Sequence, residues 1–352
     1  MDGGKASGSG GLTGREEKWY KKPAGYRLKE REMTEKARIR RILRAALRGL
    51  LCAVLALASA GAACAEVYID QEKPEGWEER ELLRIYALYA YDCDSFVVEC
   101  GGETMLIDGG NKPKEQELAD FLAEHGMEHL DIIFSTHPHD DHIEAVYNAL
   151  MHGKITADIF ISAFRENYIA YDNLEFQKKT VRVLKEKEIP FRQMLNGEEL
   201  ALGGAQMILY RFDPGTKKTD GRSLTVNDMS GVLWIRFGES AILMTADIGG
   251  TIQKMLADQY GPEGLKSDIL KAPHHGKNAV NGELLRTVDP KLTIITGKVA
   301  RTEDCRIQME TNGIEWKRTS YGTIVMETDG KDWYVNQEDK FGELEKLRKK
   351  RK

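Results

Sequence analysis

The chain has 352 residues, 41% of them hydrophobic, which is enough for one large α/β domain or two small ones with a full core. Its formal charge of -5 is uneven: residues 1–65 carry 14 Lys/Arg against 6 Asp/Glu, leaving about -13 on residues 66–352. An acidic body argues against a tight, non-specific nucleic-acid binder, although nucleic acid stays among the candidate substrates. Five cysteines without a C-x-x-C pair exclude a disulfide framework and a thiolate zinc knuckle. Buried thiols are expected at Cys93, Cys100 and Cys305, with a single Cys93–Cys100 bridge as the alternative.

Residues 1–32 are rich in Gly, Ser and Lys without periodicity and read as a disordered or extra extension, Met33 being an alternative start. Residues 33–65 read as a signal peptide. Arg38, Arg40, Arg41, Arg44 and Arg48 form its basic region, and Gly49 to Ala65 its apolar run. The end of the run, Ala63-Cys64-Ala65, is a cleavage pattern that makes Glu66 the mature N-terminus. Export to the cell envelope or medium is expected, with no stable membrane insertion after cleavage. An uncleaved anchor is the alternative, since the run barely reaches spanning length.

Residues 66–81 read as a charged linker containing Pro74 and Gly76, and residues 82–336 as the domain proper. Ser95–Cys100 and Thr104–Asp108 around Gly101-Gly102 predict a β-hairpin. Leu118, Phe121 and Leu122 give the helix Lys114–His125 its apolar face, and Gly126 ends it. A strand at residues 131–135, a helix Ile143–Met151, a strand Ala157–Ala163 and a helix Asn173–Glu188 follow. From Phe191 the runs are mostly strand-like (Gln206–Phe212, Gly231–Phe237, Ser240–Thr245) around a polar loop, Asp213–Asp228. Helices Ile252–Gln259 and Gly282–Val288 and strands Asp268–Lys271, Leu292–Ile295, Gly322–Glu327 and Trp333–Val335 complete the body, before a basic tail at 337–352. Two β-rich halves, each with helices, suit an α/β fold of the αββα sandwich type, two mixed sheets between outer helices.

The chemistry is concentrated in Ser135-Thr-His-Pro-His-Asp-Asp-His142, which carries His137, His139, Asp141 and His142 in the spacing H-x-H-x-D-H at a strand end. Imidazole and carboxylate are the usual ligands of zinc and similar ions. Asp247 ends the apolar strand Ala241–Met244 before Gly249-Gly250, placed to bridge two metals. Lys271-Ala-Pro-His-His-Gly276 sets His274 and His275 at another strand end. The remaining histidines, His125, His129 and His152, fall at helix ends, where surface or capping roles are expected.

Together with Asp108 in Leu106-Ile-Asp-Gly-Gly110, these motifs resemble the successive signatures of the metallo-β-lactamase fold superfamily. Asp94-Ser95, Asn227-Asp228-Met229-Ser230 and Lys-Ala-Pro-His-His-Gly are similar to one branch, the hydrolase-like domain of the DNA-uptake competence channel and its secreted relatives. The resemblance implies one or two divalent ions, zinc first and manganese as the alternative. His137 and His139 would hold one ion and Asp141 and His142 the other, with Asp247 bridging; His274 or His275 would complete the second site while its neighbour faces substrate. Asp108 would orient a ligand histidine through its other ring nitrogen. The chain departs from the pattern by lacking a histidine between His152 and Asp247; Asn227 or Asp228 is expected to supply an oxygen there, an open first site being the alternative.

A metal that lowers the pKa of water gives hydroxide near pH 7, and Asp141, Asp247, His274 and His275 are the candidates for managing its proton and the developing oxyanion. The expected activity is hydrolysis of phosphodiester bonds in a small-molecule or polymeric substrate, nucleic acid or an envelope phosphodiester. The alternatives are a carbonyl-substrate hydrolase of lactone or β-lactam type and a non-catalytic metal-fold binding protein. Tyr168, Tyr171, Lys217, Lys218 and Arg222 are expected to line the cleft.

Overall fold

The computed structural model describes residues 65–168, 175–342, 344 and 346. The expected extension at 1–32, the leader at 33–64, Tyr171 and the last six residues of the tail lie outside them.

The described residues form two sheets. The first contains β1 (Glu66–Ile69), β2 (Leu83–Ala87), β3 (Phe96–Cys100), β4 (Glu103–Ile107), β5 (His129–Ser135), β6 (Thr156–Ser162), β7 (Phe191–Gln193), β15 (Ile324–Thr328) and β16 (Asp332–Gln337), in the order β1-β16-β15-β2-β3-β4-β5-β6-β7. The second contains β8 (Glu199–Leu202), β9 (Ala205–Tyr210), β10 (Val232–Phe237), β11 (Ser240–Met244), β12 (Ile269–Lys271), β13 (Leu292–Ile295) and β14 (Glu315–Arg318), ordered β14-β13-β12-β11-β10-β9-β8. Helices α1 (Glu115–Glu124), α2 (Asp140–Met151) and α3 (Glu175–Glu186) belong to the first half, and α4 (Gly250–Leu265), α5 (Gly282–Val288) and α6 (Glu303–Thr311) to the second.

Three apolar layers hold this together. Strand alternation sends successive side chains to opposite faces. Phe96, Val98, Met105, Ile107 and Phe134 thus meet Met207, Leu209, Leu233, Ile235, Ile242 and Met244 between the sheets. Val97, Leu106, Ile133 and Phe160 face outward onto Leu118 and Leu122 of α1, Ile143, Val146 and Leu150 of α2, and Leu184 of α3. On the other side Leu243, Leu270 and Ile295 pack under Ile252 and Leu256 of α4, Leu284 of α5 and Met309 of α6. Central strands buried on both faces read as continuous apolar runs, which is why they were legible. The αββα sandwich is the observed architecture.

The body extends beyond the expected boundaries at both ends. The expected linker at 66–81 contains β1, paired in parallel with β16 from Glu66–Asp332 to Ile69–Val335. It also contains Trp77, buried with its ring 4.6 Å from that of Tyr334. Ala65 is buried, and its carbonyl accepts a hydrogen bond from Lys291 Nζ at 2.9 Å. The chain is still paired at Lys340, whose N–H donates to Tyr321 O at 3.0 Å. Helix α6 and strand β14 fill a stretch for which the sequence predicts no element. Only Cys305 and Met309 of α6 are buried, so its apolar face is too narrow to produce a period. Cys93, Cys100 and Cys305 are free and buried, and burial pushes the Cys93 thiol up to about 11.

Topology decides where the site lies. Strands β4, β5 and β6 are parallel neighbours, as are β11, β12 and β13. The residues just past their C-terminal ends are Asp108, His137, Ala163, Asp247, His274-His275 and Thr296. Asp94 precedes β3, antiparallel to β4, and Asn227–Ser230 precedes β10, antiparallel to β11, so both arrive at the same edge.

Candidate metal centre

After the apolar strand β5 the backbone passes through Pro138 to His139, which stands extended (φ -73, ψ 156) as the residue capping α2. The helix begins at Asp140, three residues earlier than its apolar period predicts, so Asp141 and His142 ride on its first turn. Acidic side chains there complement the positive end of the helix dipole. The Asp108 loop is fastened to this turn, with Gly109 N–H donating to His142 O at 2.8 Å and Ala145 N–H to Gly110 O at 2.9 Å. A Cβ on Gly109 would lie 2.6 Å from Val146 Cγ2, so only glycine lets the loop approach so closely.

The structure brings His137, His139, Asp141, His142, Asp247, His274 and His275 to this one edge. His142 Nε2 lies 3.4 Å from Asp247 Oδ1, close but not aligned as a hydrogen bond. His275 Nε2 lies 3.2 Å from Asp141 Oδ2 and 3.4 Å from Asp247 Oδ2. His137 Nε2 stands 4.0 Å from Asp247 Oδ2, and the His139 ring centroid is 4.8 Å from that of His137. One potential ligand atom from each of Asp94, His142, Asp247 and His275 lies within 4.8 Å of the others, and so do those of His137, Asp141 and His142. His275, fully buried, belongs to these groups, whereas the His274 side chain is 35% exposed and 3.7 Å from Asp247 Oδ2.

Do these residues fit a divalent ion? His137 Nε2, His142 Nε2 and Asp247 Oδ1 are buried and make no hydrogen bond. Such groups cost about 1–3 kcal/mol each when left unsatisfied. Their lone pairs converge with carboxylates, a donor set suited to zinc or manganese. The other ring nitrogens are occupied: His137 Nδ1 is 3.1 Å from Thr136 Oγ1, His142 Nδ1 donates to Asp108 Oδ2 at 2.7 Å, and His275 Nδ1 to Asp94 Oδ1 at 3.0 Å. The residues fit.

Electrostatics divide the imidazoles. Burial, then the neighbouring His142, pushes His137 well below its usual value, so it is neutral. Burial works against the charged form of His142 and His275 too, but Asp247 with Asp108, and Asp247 with Asp94, prevail. His142 is driven well above 6.5 and His275 to about 10. Against the cost of burial, His275 holds Asp247 well below the usual carboxylate range. Backbone strain is stored here as well: Asp108, Ala246, His274 and His275 have φ of 54°, 43°, 50° and 59°, half of the described non-glycine residues with positive φ. Strain of this kind collects at functional sites.

Some expected residues have other work. Asp228 Oδ2 accepts from Thr225 N–H and Oγ1 at 2.8 and 2.7 Å and pairs with Lys218 at 2.7 Å, which holds it within its own loop. Asn227 Oδ1 is buried without a partner and remains the available oxygen. Lys217 donates to Ser223 Oγ at 2.8 Å and Arg222 pairs with Asp220 at 2.6 Å, so the expected basic cleft wall is spent on local contacts. Tyr168 packs edge-on to Phe164, 4.8 Å between ring centroids. His125 and His152 cap helix neighbourhoods, bonded to Phe121 O at 2.8 Å and Glu115 Oε1 at 2.6 Å, and His129 pairs with Asp158 at 3.4 Å. The sequence reading gave no role to Asp94, Thr136, Lys271 or Thr296. The signal that would have found Lys271 is a charge closing the buried strand Ile269-Leu270-Lys271.

Residues 88–157, which hold Asp108 and the whole H-x-H-x-D-H loop, match the family model of the metallo-beta-lactamase superfamily. Over those residues the chain resembles that superfamily. The domain is similar to part of ComE operon protein 3 of Bacillus subtilis (strain 168), 24% identical over 186 residues, or 52% of this chain and 22% of that protein. The chain therefore aligns with about a fifth of that relative's length. Among solved structures, the metallo-beta-lactamase fold protein YhfI from Bacillus subtilis is 13% identical with a TM-score of 0.46, covering 69% of this chain and 98% of that one. CmlA, a diiron beta-hydroxylase from Streptomyces venezuelae, is 15% identical with a TM-score of 0.43, covering 70% and 53%. No helix of the described residues is long and apolar enough to cross a membrane.

Proposed function

We propose that the protein is a metal-dependent hydrolase of phosphodiester bonds. The observation that supports this most directly is the set of buried lone-pair atoms without hydrogen bonds, His137 Nε2, His142 Nε2 and Asp247 Oδ1, gathered beside His275. His137 and His139 with Asn227 would hold a first ion, and Asp141, His142 and His275 a second, with Asp247 between them. Zinc is the favoured metal, and the amide and carboxylate oxygens in the set also admit manganese. A divalent ion held there supplies Lewis-acid chemistry that yields a hydroxide nucleophile near neutral pH and steadies the leaving oxygen.

The chain's own groups do the remaining work. Asp108 keeps the Nδ1 proton of His142 and Asp94 that of His275, so each ring turns its Nε2 toward the centre. Asp141 is held ionised against burial by His275 and His142, and is suited to accept a hydrogen bond that orients the nucleophile. His274 is lowered by burial from its usual value, so it is neutral at pH 7. Partly exposed at the edge, it is placed to donate a hydrogen bond to a substrate oxygen. Room for two ions is the arrangement that suits in-line displacement at a phosphodiester. Nucleic acid and envelope phosphodiesters are the two substrate sources.

Export belongs to the same reading. A cut after Ala65 has to precede the docking of β1, because Ala65 is 2% exposed in the folded chain.

The test is metal content of the purified protein together with turnover of bis-p-nitrophenyl phosphate before and after chelation. About two ions per chain with chelator-sensitive cleavage is the expected result. Bound metal without phosphodiester cleavage would move the assignment to carbonyl substrates, and absence of both to a binding role.

A further inference from the structure

Lys271 is an ammonium group at the heart of the centre with a side chain only 1% exposed. A buried charge persists only when its partners are well placed. Its Nζ donates to the carboxylate of Asp94 and to Ala246 O at 2.9 Å, and stands 3.8 Å from Asp247 Oδ1. Each contact leads to a group already assigned to the metal. Ala246 directly precedes Asp247, and its φ of 43° is unfavourable for alanine. Its carbonyl accepts a second hydrogen bond, from His274 N–H at 2.9 Å, so the strained peptide that presents Asp247 is pinned twice.

Asp94 is similarly saturated. Oδ1 accepts from Thr296 Oγ1 at 2.6 Å and from His275 Nδ1 at 3.0 Å, while Oδ2 takes the Lys271 ammonium. Although Asp94 lies among the potential ligands, both its oxygens are engaged, and it acts through His275. The arrangement repeats the other half of the site, where Asp108 accepts from Thr136 Oγ1 at 2.6 Å and from His142 Nδ1 at 2.7 Å. Only the Asp94 copy carries a lysine.

We infer that Lys271 is the positioning cation of the centre, fixing at once the peptide that presents Asp247 and the carboxylate that orients His275. This rests on the reading above of Asp247 and His275 as metal-holding residues. One fixed positive charge thereby sets two side chains from separate loops before any ion arrives.

The experiment uses the full chain and the variants Lys271→Met, Asp94→Asn and the double Lys271→Met/Asp94→Asn. Zinc affinity is measured by competition with a chromophoric chelator, ligand geometry by the visible spectrum of the cobalt-loaded protein, and folding by thermal melting. Each single variant is expected to weaken zinc binding by about 10–100-fold and to shift the cobalt bands. The double variant, with neither charge buried, is expected to regain the melting temperature lost by Lys271→Met without regaining affinity. If Lys271→Met does not fold, the double variant and Asp94→Asn decide. Folded variants with wild-type affinity and an unchanged cobalt spectrum would overturn the inference. Neither readout needs a substrate, so loss of the phosphodiesterase assignment alone leaves this result standing, whereas wild-type protein that binds no metal overturns both.

Discussion

Asp108 accepts a 2.7 Å hydrogen bond from Nδ1 of His142, 34 residues further along the chain, with both side chains buried. Thr136 braces the same carboxylate through its N–H at 2.9 Å and its hydroxyl at 2.6 Å. Asp108→Asn offers an amide where His142 needs an acceptor. It should weaken metal binding by about 10–100-fold while the fold survives, because the amide oxygen can still accept from Thr136 N–H while the amide nitrogen donates to the Thr136 hydroxyl. Competition titration with a chelator checks this, and unchanged affinity would remove Asp108 from the centre.

Metal and protons compete for the same nitrogens. In chelator-treated protein the charge on His275, raised to about 10 against an unfolded value of 6.5, contributes stability in full below pH 6.5. That contribution fades as pH rises through about 10, so the melting temperature of this form should fall between pH 7 and 10. A metal must displace the proton, so its affinity should increase from pH 6 to 8 with proton release on binding. Titration calorimetry in buffers of different ionisation enthalpy reads the released protons directly, and a pH-independent affinity would contradict the assignment.

Adjacent histidines should fail differently. His274→Ala is expected to keep its metal content and lose about 10²–10⁴-fold in turnover, the range for a lost proton donor. His275→Ala should lose metal. Elemental analysis beside kinetics separates the two, and an inverted pattern would exchange their roles.

Close packing under the loop gives a stability prediction. Gly109→Ala puts its methyl 2.6 Å from Val146 Cγ2 and 3.2 Å from Leu118 Cδ2. It should cost about 1–3 kcal/mol by overpacking. Adding Val146→Ala removes the nearer obstacle and should make the glycine change less costly than in the parent, which a denaturant-unfolding cycle measures.

Much of this was legible in the sequence because the signals are local. Buried strands such as β5 and β11 are continuous apolar runs, and H-x-H-x-D-H lies within six residues. What stayed hidden depends on distant partners. Asp94 stands in a recognisable Asp-Ser pair but has no assigned role until His275, 181 residues away, donates to it. The choice between His274 and His275 turned on which ring is buried beside Asp141 and Asp247, which no spacing encodes. Strand β1 was lost in a charged stretch because its pairing partner, β16, is at the other end of the domain.

The two groups of potential ligands differ in how far apart along the chain their members lie. His137, Asp141 and His142 lie on one strand end and the following helical turn, so a local stretch of chain completes them. His142 joins Asp247 and His275 only when loops from both sheets have met, after long loops have closed. The first group is therefore a property of one short stretch of chain, the second a property of the packed fold.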